Sequence, residues 1–155
     1  MAVRHVRGAI VNELLVAARY ALEVANEELR ASGVDPDMYG PLSFVGTLQP
    51  VTRTQLAEAT GQRRTTQRDS IKRLIEAGHV REVPNPRDGR STLLELTQAG
   101  QKIFDAGRPA FVRALRRIDE ALGGRLDEHE DAVWRVRLAV QQLAAGDVEA
   151  GALVD

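Results

Sequence analysis

Within residues 52–96, two short segments with a helical pattern are followed directly by two segments with a strand pattern. The spacing of apolar residues predicts a helix from Arg53 to about Ala59 and a second from Arg64 or Thr65 to Ala77. Between them, Thr60-Gly61-Gln62 interrupts the helical pattern, and Gly78 ends the second helix. Two helices joined by three or four residues that include a glycine are typical of a helix-turn-helix.

A basic hairpin is expected immediately after these two helices. His79–Val83 and Ser91–Leu96 have the composition of strands, and the segment Pro84–Arg90 between them is rich in turn-forming residues. A helix-turn-helix followed by such a hairpin is a winged helix, which is a stronger indication than the two helices alone.

Helical patterns also precede this region. Apolar residues recur every three or four positions from Ala9 to Ala31, which predicts a long amphipathic helix. Asp35-Pro36 has the form of an N-cap followed by an N1 proline, but Gly40-Pro41 comes only a few residues later. We therefore expect a second helix that is short, kinked or begins afresh near Pro41. Its core face consists of Tyr39, Leu42 and Val45.

Two further helices are expected after the hairpin. One runs from about Gln98 to Leu122 and is bent or interrupted at Gly107-Arg108-Pro109. The last helix begins near Asp127-Glu128-His129-Glu130. Its apolar face consists of Val133, Trp134, Val140 and Leu143.

The composition favours a mainly α fold and excludes several classes of protein. Hydrophobic residues make up 43% of the chain, charged residues 28% and aromatic residues only 4%, a bias that favours aliphatic helices over sheets. The absence of cysteine excludes a disulfide framework, thiolate zinc sites and a cysteine nucleophile. A chain without cysteine fits a cytoplasmic protein best. No apolar run approaches the roughly 18 residues that cross a bilayer, so we expect neither signal peptide nor membrane anchor.

The charges are segregated along the chain. Nine basic and five acidic residues lie between Thr52 and Arg90, a net charge of +4, whereas the remainder carries 12 basic and 17 acidic residues, a net charge of −5. A basic centre between acidic segments is expected if only the centre contacts phosphate.

The order of these elements resembles the multiple-antibiotic-resistance regulator (MarR) family of winged-helix transcription factors. That family carries Leu-x-x-x-Gly-x-Val, an Asp-x-Arg wing tip, and Leu-Thr-x-x-Gly at the start of its fifth helix. The same motifs occur here as Leu74–Val80, Asp88–Arg90 and Leu96–Gly100, and the resemblance extends from Ala9 to Ala145.

The sequence departs from the family pattern at two positions. Pro41 falls where the family usually continues a helix. Gln67 occupies a position of the recognition helix that is commonly apolar. These departures affect the packing of the second helix and the reading of DNA by the recognition helix.

The resemblance implies a mainly α fold with a small β-hairpin wing in a single domain, residues 1–155. In this arrangement residues 9–33 and 98–145 form a helical dimerisation region. Residues 36–96 form the winged helix-turn-helix lobe that binds DNA.

The second helix of the motif is the expected recognition helix, which lies in the major groove and presents its exposed face to the base edges. Arginine at Arg64 or Arg68 can bond bidentately to guanine, and the threonines can contact a thymine methyl group or a phosphate. The candidate DNA-contacting residues here are Arg53, Arg63, Arg64, Thr65, Thr66, Arg68, Lys72 and Arg73. A merely solvated helix surface is the alternative, and Arg73 would then pair with Asp69 or Glu76.

Two further candidate DNA contacts lie at the wing tip. Arg87 and Arg90 occupy a loop constrained by proline, which would present their guanidinium groups to a narrow minor groove or its phosphates. Asp88 is expected to support the wing by holding Arg90 or by capping the turn. A purely structural pair between Asp88 and Arg90 is the alternative.

No motif indicates an enzyme or a cofactor site. The chain lacks a Walker-type phosphate loop, Gly-x-Gly-x-x-Gly, Gly-x-Ser-x-Gly and His-Glu-x-x-His. His5, His79 and His129 fall in separate segments without ligand partners at helical spacing, so no metal site is expected. For the carboxylate pair Glu27-Glu28 a solvated or capping role is expected.

These observations predict a homodimeric regulator that binds a palindromic double-stranded operator, usually as a repressor in the proteins it resembles. The outer helices carry more apolar surface than one small lobe can bury, and paired recognition helices must lie about 34–36 Å apart to enter successive major grooves. The rival hypothesis is a winged-helix protein-interaction module without DNA binding, against which the charge of the centre argues.

The resemblance also implies a response to an effector. Family members answer to small anionic or aromatic ligands bound between the dimer helices and the DNA-binding lobe, or to cysteine oxidation. The second route is closed here because the chain has no cysteine. Arg19, Tyr20 and Tyr39 are the candidate lining residues, with packing or surface exposure as their alternative roles.

Overall fold

A computed structural model describes residues 8–145. Six helices and three short strands occur in this part of the chain. They are α1 (Ile10–Ala31), α2 (Pro36–Leu48), β1 (Val51–Thr52), α3 (Arg53–Thr60), α4 (Arg64–Glu76), β2 (Val80–Pro84), β3 (Thr92–Leu96), α5 (Gln98–Ala121) and α6 (Leu126–Ala145). The mainly α fold with a hairpin wing, expected from the sequence, is confirmed.

The chain divides into two compact units. The first ends at Ala114 and contains the helix-turn-helix and the wing, whereas the second begins at Leu115 and contains α6. None of the helices in residues 8–145 is long and apolar enough to cross a membrane.

One aliphatic cluster holds the first unit together. It is built by side chains that α2, α3, α4 and the sheet all direct inward. Its buried members are Leu42, Val45, Val51, Leu56, Ile71, Leu74, Val80, Leu94 and Leu96. Burial of each such side chain contributes roughly 1.5–3 kcal/mol to stability. The cluster therefore stabilises the helices and strands that form it by more than a local irregularity, such as a proline within a helix, destabilises them.

Helix α2 shows this effect, and of the alternatives expected there, a helix that begins afresh near Pro41 is wrong. The helix runs unbroken from Pro36 to Leu48. Pro41 removes one backbone hydrogen bond near the start of the helix. However, Tyr39, Leu42 and Val45 are all buried at successive turns, and their packing keeps the backbone helical.

Helix α5 is likewise uninterrupted, although an interruption was one of the two alternatives expected at Gly107-Arg108-Pro109. It continues through Pro109 to Ala121. The small side chains of Ala110 and Ala114 are buried immediately beyond the proline, so packing again fixes the helical backbone.

Strand β1 has no counterpart among the expected elements. Val51 pairs with Leu94 and Thr52 with Leu93, which gives a three-stranded antiparallel sheet in the order β1-β3-β2. The side chain of Gln49 extends the pairing, because its Oε1 accepts a 2.7 Å hydrogen bond from the backbone N–H of Leu96. Because β1 has only two residues, it cannot show the alternation of polar and apolar residues by which a strand is recognised in a sequence.

A second buried cluster joins α1, α2 and α5. Leu29, Tyr39 and Ala110 form its core, and the Tyr39 ring lies 5.5 Å from the ring of Phe111. The Tyr39 hydroxyl donates a 3.2 Å hydrogen bond to the carbonyl oxygen of Phe104. Tyr39 of α2 therefore contacts α5 both through its ring and through the hydrogen bond of its hydroxyl.

An ion pair links the same helices at the surface. Arg113 of α5 donates to the Glu28 carboxylate of α1 at 2.8 Å. The expectation that Glu28 is merely solvated or caps a helix is therefore wrong. The partner lies 85 positions away, a separation that no local pattern can indicate.

Gly107 gives a test of this packing. A Cβ there would overlap the Tyr39 ring, so we expect Gly107→Ala to lower the free energy of unfolding by about 1–3 kcal/mol despite the better helix propensity of alanine. Thermal or urea denaturation measures the change. Gly89→Ala is the matched control, because a Cβ at Gly89 meets nothing within 4 Å. Equal stability of the two variants would contradict the close packing of Tyr39 on α5.

Candidate nucleic-acid interface

The helix-turn-helix begins with a capped helix. The Thr52 hydroxyl accepts from the backbone N–H of Gln55 at 3.2 Å, and the Gln55 side chain accepts from the backbone N–H of Thr52 at 3.0 Å. This reciprocal capping box satisfies donors that the first turn of α3 would leave unpaired. Gly61 ends the helix with φ of +64°, a left-handed conformation that favours glycine. The chain can thus turn within three residues and start α4 at Arg64.

The inward and outward faces of α4 are clearly separated. Gln67, Ile71 and Leu74 are buried and lie four and three positions apart, so they form one inward stripe. The outward side chains are exposed and mostly basic or hydroxylic. They are Arg64, Thr65, Thr66, Arg68, Asp69, Lys72 and Arg73. All six predicted DNA contacts on α4 therefore lie at the surface, together with Arg63 just before it.

A basic groove lies between the start of α3 and one side of α4. It has a volume of about 520 Å³. Its lining residues are Arg53, Thr54, Arg64, Gln67, Arg68 and Lys72. Four of these six residues are cationic, so the groove is suited to an anionic group. We call it the α3–α4 groove below.

Two of the four cations of the groove are already paired. Arg53 forms a 3.0 Å ion pair with Glu82 of β2, and Lys72 lies 3.7 Å from Glu76 one turn along α4. Arg64 and Arg68 have no ion-pair partner among residues 8–145. No ion pair of Arg73 with Asp69 or Glu76, considered from the sequence, occurs among residues 8–145; Glu76 instead lies 3.7 Å from Lys72.

The wing tip is ordered by side chains that bond to the backbone. Asn85 accepts a 3.0 Å hydrogen bond from the backbone N–H of Arg87, and Asp88 accepts one of the same length from the backbone N–H of Arg90. Asn85 also donates to the Ser91 hydroxyl at 2.8 Å. Asp88 therefore caps the turn, one of its two expected roles, while the guanidinium groups of Arg87 and Arg90 are exposed.

Glu82 is a residue that the sequence reasoning missed. Its Oε1 accepts hydrogen bonds from Arg53 and from the Thr92 hydroxyl, both at 3.1 Å. It thereby connects α3 with both strands of the wing. Arg53, predicted as a DNA contact, is consequently also a structural link, and no signal in the sequence joins two residues 29 positions apart.

The three candidate effector-lining residues have different environments. Arg19 and Tyr20 lie exposed on α1, whereas Tyr39 is buried in the cluster described above. Burial raises the pKa of the Tyr39 hydroxyl above its ordinary value; the charge of Arg108 lowers the pKa in part, and that of Asp105 raises it again. Tyr39 is therefore held as a neutral hydrogen-bond donor.

A separate cavity of about 450 Å³ lies beside the link between α1 and α2. Its lining residues are Ser32, Gly33, Val34, Asp35, Met38, His79, Lys102, Ile103 and Ala106. The Nδ1 atom of His79 is buried and has no hydrogen-bond partner in the described part of the chain. Arg19, Tyr20 and Tyr39 are not among the residues that line it.

Between residues 8 and 145, no group of three or more His, Asp or Glu side chains is arranged to hold a metal ion. His79 and His129 lie in different compact units, and His5 lies outside the described residues.

A basic second helix and a basic wing around one sheet define a winged helix-turn-helix protein. A sequence model of the MarR family matches residues 32–91, which span α2, the helix-turn-helix and the wing tip. Over this region the chain is similar to the MarR family of transcriptional regulators.

Relatives match over nearly the whole chain. The HTH-type transcriptional regulator YwoH of Bacillus subtilis (strain 168) is 26% identical over 139 residues, which cover 89% of this chain and 98% of that protein. The transcriptional regulator SlyA has a similar fold, with a TM-score of 0.71 at 20% identity, covering 86% of this chain and 94% of that one.

Two similar structures contain bound molecules. A MarR family regulator from Listeria monocytogenes, solved with a 26mer DNA, has a TM-score of 0.72 at 18% identity over 96% of this chain and 99% of that one. NadR, solved with 4-hydroxyphenylacetate, has a TM-score of 0.71 at 18% identity over 92% of this chain and 99% of that one.

Proposed function

We propose that this protein is a transcriptional regulator, a homodimeric repressor that binds a palindromic DNA operator. The observation that carries the proposal is the set of exposed arginines on two adjoining elements, with Arg64 and Arg68 on α4 and Arg87 and Arg90 on the wing tip. An exposed cation without an intramolecular partner is available to replace the counterions of phosphate. The relative from Listeria monocytogenes, solved with DNA, supports the same use of the fold.

In this proposal the helix and the wing have different roles. Helix α4 lies in the major groove, where Arg64, Thr65, Thr66, Arg68 and Lys72 meet base edges and adjacent phosphates, flanked by Arg63 and Arg73. The wing tip meets the minor groove or its phosphates. Arg53 contacts the backbone from the start of α3 while it remains paired with Glu82.

The proposed roles predict distinct effects of Arg90→Ala and Arg68→Ala. Loss of Arg90, a positioning contact, should weaken binding to operator and scrambled DNA alike and lower the salt slope by about one unit per lobe. Loss of Arg68, a base contact, should cost roughly 1–3 kcal/mol per half-site on the operator and far less on scrambled DNA. Both effects are measured by fluorescence anisotropy at a series of salt concentrations. The operator is selected from the DNA upstream of the gene that encodes this chain.

The same measurement separates the rival hypotheses. Affinity of the unaltered protein should fall steeply as salt rises, because each lobe brings several cations close to phosphates. An unaltered protein with no salt-dependent DNA binding would instead favour the protein-interaction module. If Arg90→Ala alone lost specificity, Arg90 would be the base contact and Arg68 the positioning contact.

The dimer is proposed from exposed apolar side chains on the outer helices, residues 9–33 and 98–145. On α1, six large apolar side chains are at least 50% exposed. They are Ile10, Val11, Leu15, Val16, Tyr20 and Leu22. Helix α6 exposes a similar series, Val133, Trp134, Leu138, Val140 and Leu143. Exposed apolar surface of this extent is characteristic of faces that are covered by a partner, here a second copy.

Sedimentation velocity at micromolar concentration tests the assembly. We expect a dimeric mass for the unaltered chain and a monomeric or aggregated species for Leu15→Asp, because a carboxylate among the exposed apolar side chains of α1 would be desolvated in the dimer. Thr47→Asp, which adds the same charge at an exposed polar position of α2, should remain dimeric. A monomeric mass for the unaltered chain would contradict the dimer.

Relief of repression by a small anionic or aromatic effector completes the proposal. The cavity beside the α1–α2 link combines apolar side chains, Met38 and Ile103, with the cation of Lys102 and the unpartnered His79 Nδ1. This combination fits an aromatic carboxylic acid, whose ring packs against the apolar side while its carboxylate meets the polar groups. NadR, of similar fold, was solved with such an acid.

Titration of the protein–operator complex with 4-hydroxyphenylacetate tests the site. We expect release of DNA from the unaltered protein, a strongly reduced response in Lys102→Ala, and a retained response in Lys102→Arg. Affinity for DNA without the acid should be equal in all three. A normal response in Lys102→Ala together with loss of response in Tyr20→Ala would move the site to the residues expected from the sequence.

A further inference from the structure

The inward stripe of α4 begins with a polar side chain. Ile71 and Leu74 are 1% and 0% exposed and belong to the aliphatic cluster, and Gln67 is only 5% exposed on the same face. Its Nε2 atom is buried without a hydrogen-bond partner among the described residues. Gln67 is the one buried polar or charged residue found in that part of the chain.

Folding alone does not explain a glutamine at this position. A buried amide without a partner lowers stability, because the hydrogen bonds it made with water are lost and not replaced. Methionine has nearly the same length and volume and would continue the apolar stripe without that loss. The unsatisfied amide therefore points to a partner that is bound from outside.

The α3–α4 groove supplies the place for that partner. Gln67 lines the groove beside Arg64 and Arg68, the two cations without ion-pair partners in residues 8–145. Arg53 and Thr54 line its other side and belong to the first turn of α3, where the helix dipole is positive. The groove thus combines cations, a helix start and an unsatisfied amide, all of which favour an anionic oxygen.

We propose that Gln67 binds a phosphate oxygen held in the α3–α4 groove. A change of side-chain rotamer can carry the terminal amide of Gln67 into the groove that it already lines, so that the Nε2 hydrogens meet the phosphate oxygen and no polar atom stays behind in the core. The inference rests on the proposed DNA binding and extends it, since the phosphate is that of a DNA backbone. Free inorganic phosphate offers the same oxygens and serves as a simpler probe.

The position of Gln67 makes it a positioning residue. It lies on the inward side of α4, whereas the side chains that can reach base edges lie on the outward side. A phosphate bonded there fixes how deeply α4 enters the major groove and carries no sequence information itself. Its loss should consequently affect every DNA sequence equally.

The variant Gln67→Met tests the proposal. We expect its melting temperature to equal or exceed that of the unaltered protein, because the unsatisfied amide is gone. We also expect at least fivefold weaker binding to operator and to scrambled DNA alike, with the ratio of the two affinities unchanged. Gln98→Met, which removes an exposed amide at the start of α5, is the matched control and should leave binding unchanged.

A second variant and a second probe keep the outcomes distinct. Gln67→Glu preserves the shape of the side chain but repels phosphate, so its binding should be weaker than that of Gln67→Met. Inorganic phosphate at millimolar concentration should raise the melting temperature of the unaltered protein more than that of either variant. This comparison needs no DNA.

The possible results separate the two proposals. If the unaltered protein binds DNA and both variants bind equally well, the role of Gln67 is overturned while the proposed function stands. A loss confined to the operator would also overturn it, because that pattern indicates base reading. If no DNA is bound, a phosphate effect that depends on Gln67 supports the anion site alone, and no such effect overturns both.

Discussion

The burial of Ile71 and Leu74 against α2 and the sheet is the contact on which the arrangement of the whole proposed DNA-binding surface depends. A helix turns by about 100° per residue, so fixing two side chains of α4 in the core sets the direction of all the others. The exposure of Arg64 and Arg68 follows from this rotation and needs no further interaction. The same contact encloses Gln67, which makes the inward face of α4 chemically different at its first turn.

Features with a local cause could be predicted from the sequence. The helix end at Gly61 and the hairpin wing depend on residues within a few positions of one another, and both were expected. Features set by distant partners could not. Packing keeps α2 helical at Pro41, and β1 forms because β3 pairs with it. Neither the continuous helix nor the short strand is therefore indicated by a local sequence pattern.

The candidate interface divides in the same way. Its basic residues could be identified from composition and helical spacing, but their ion pairing could not. Exposed ion pairs contribute little to stability, so the pairs of Arg53 and Lys72 matter chiefly for how much positive charge remains available. At the wing tip, Asp88 bonds to the backbone, which leaves the Arg90 charge directed toward solvent.

The short sheet has a mechanical consequence. Strand β1 ends at Thr52, where α3 begins, and it is hydrogen-bonded to β3, which is also the returning strand of the wing. Any force that tilts the helix-turn-helix is therefore transmitted to the wing through backbone bonds, with little slack between them. The lobe should therefore move as one rigid body, so that in the proposed complex α4 and the wing leave the DNA in one concerted step.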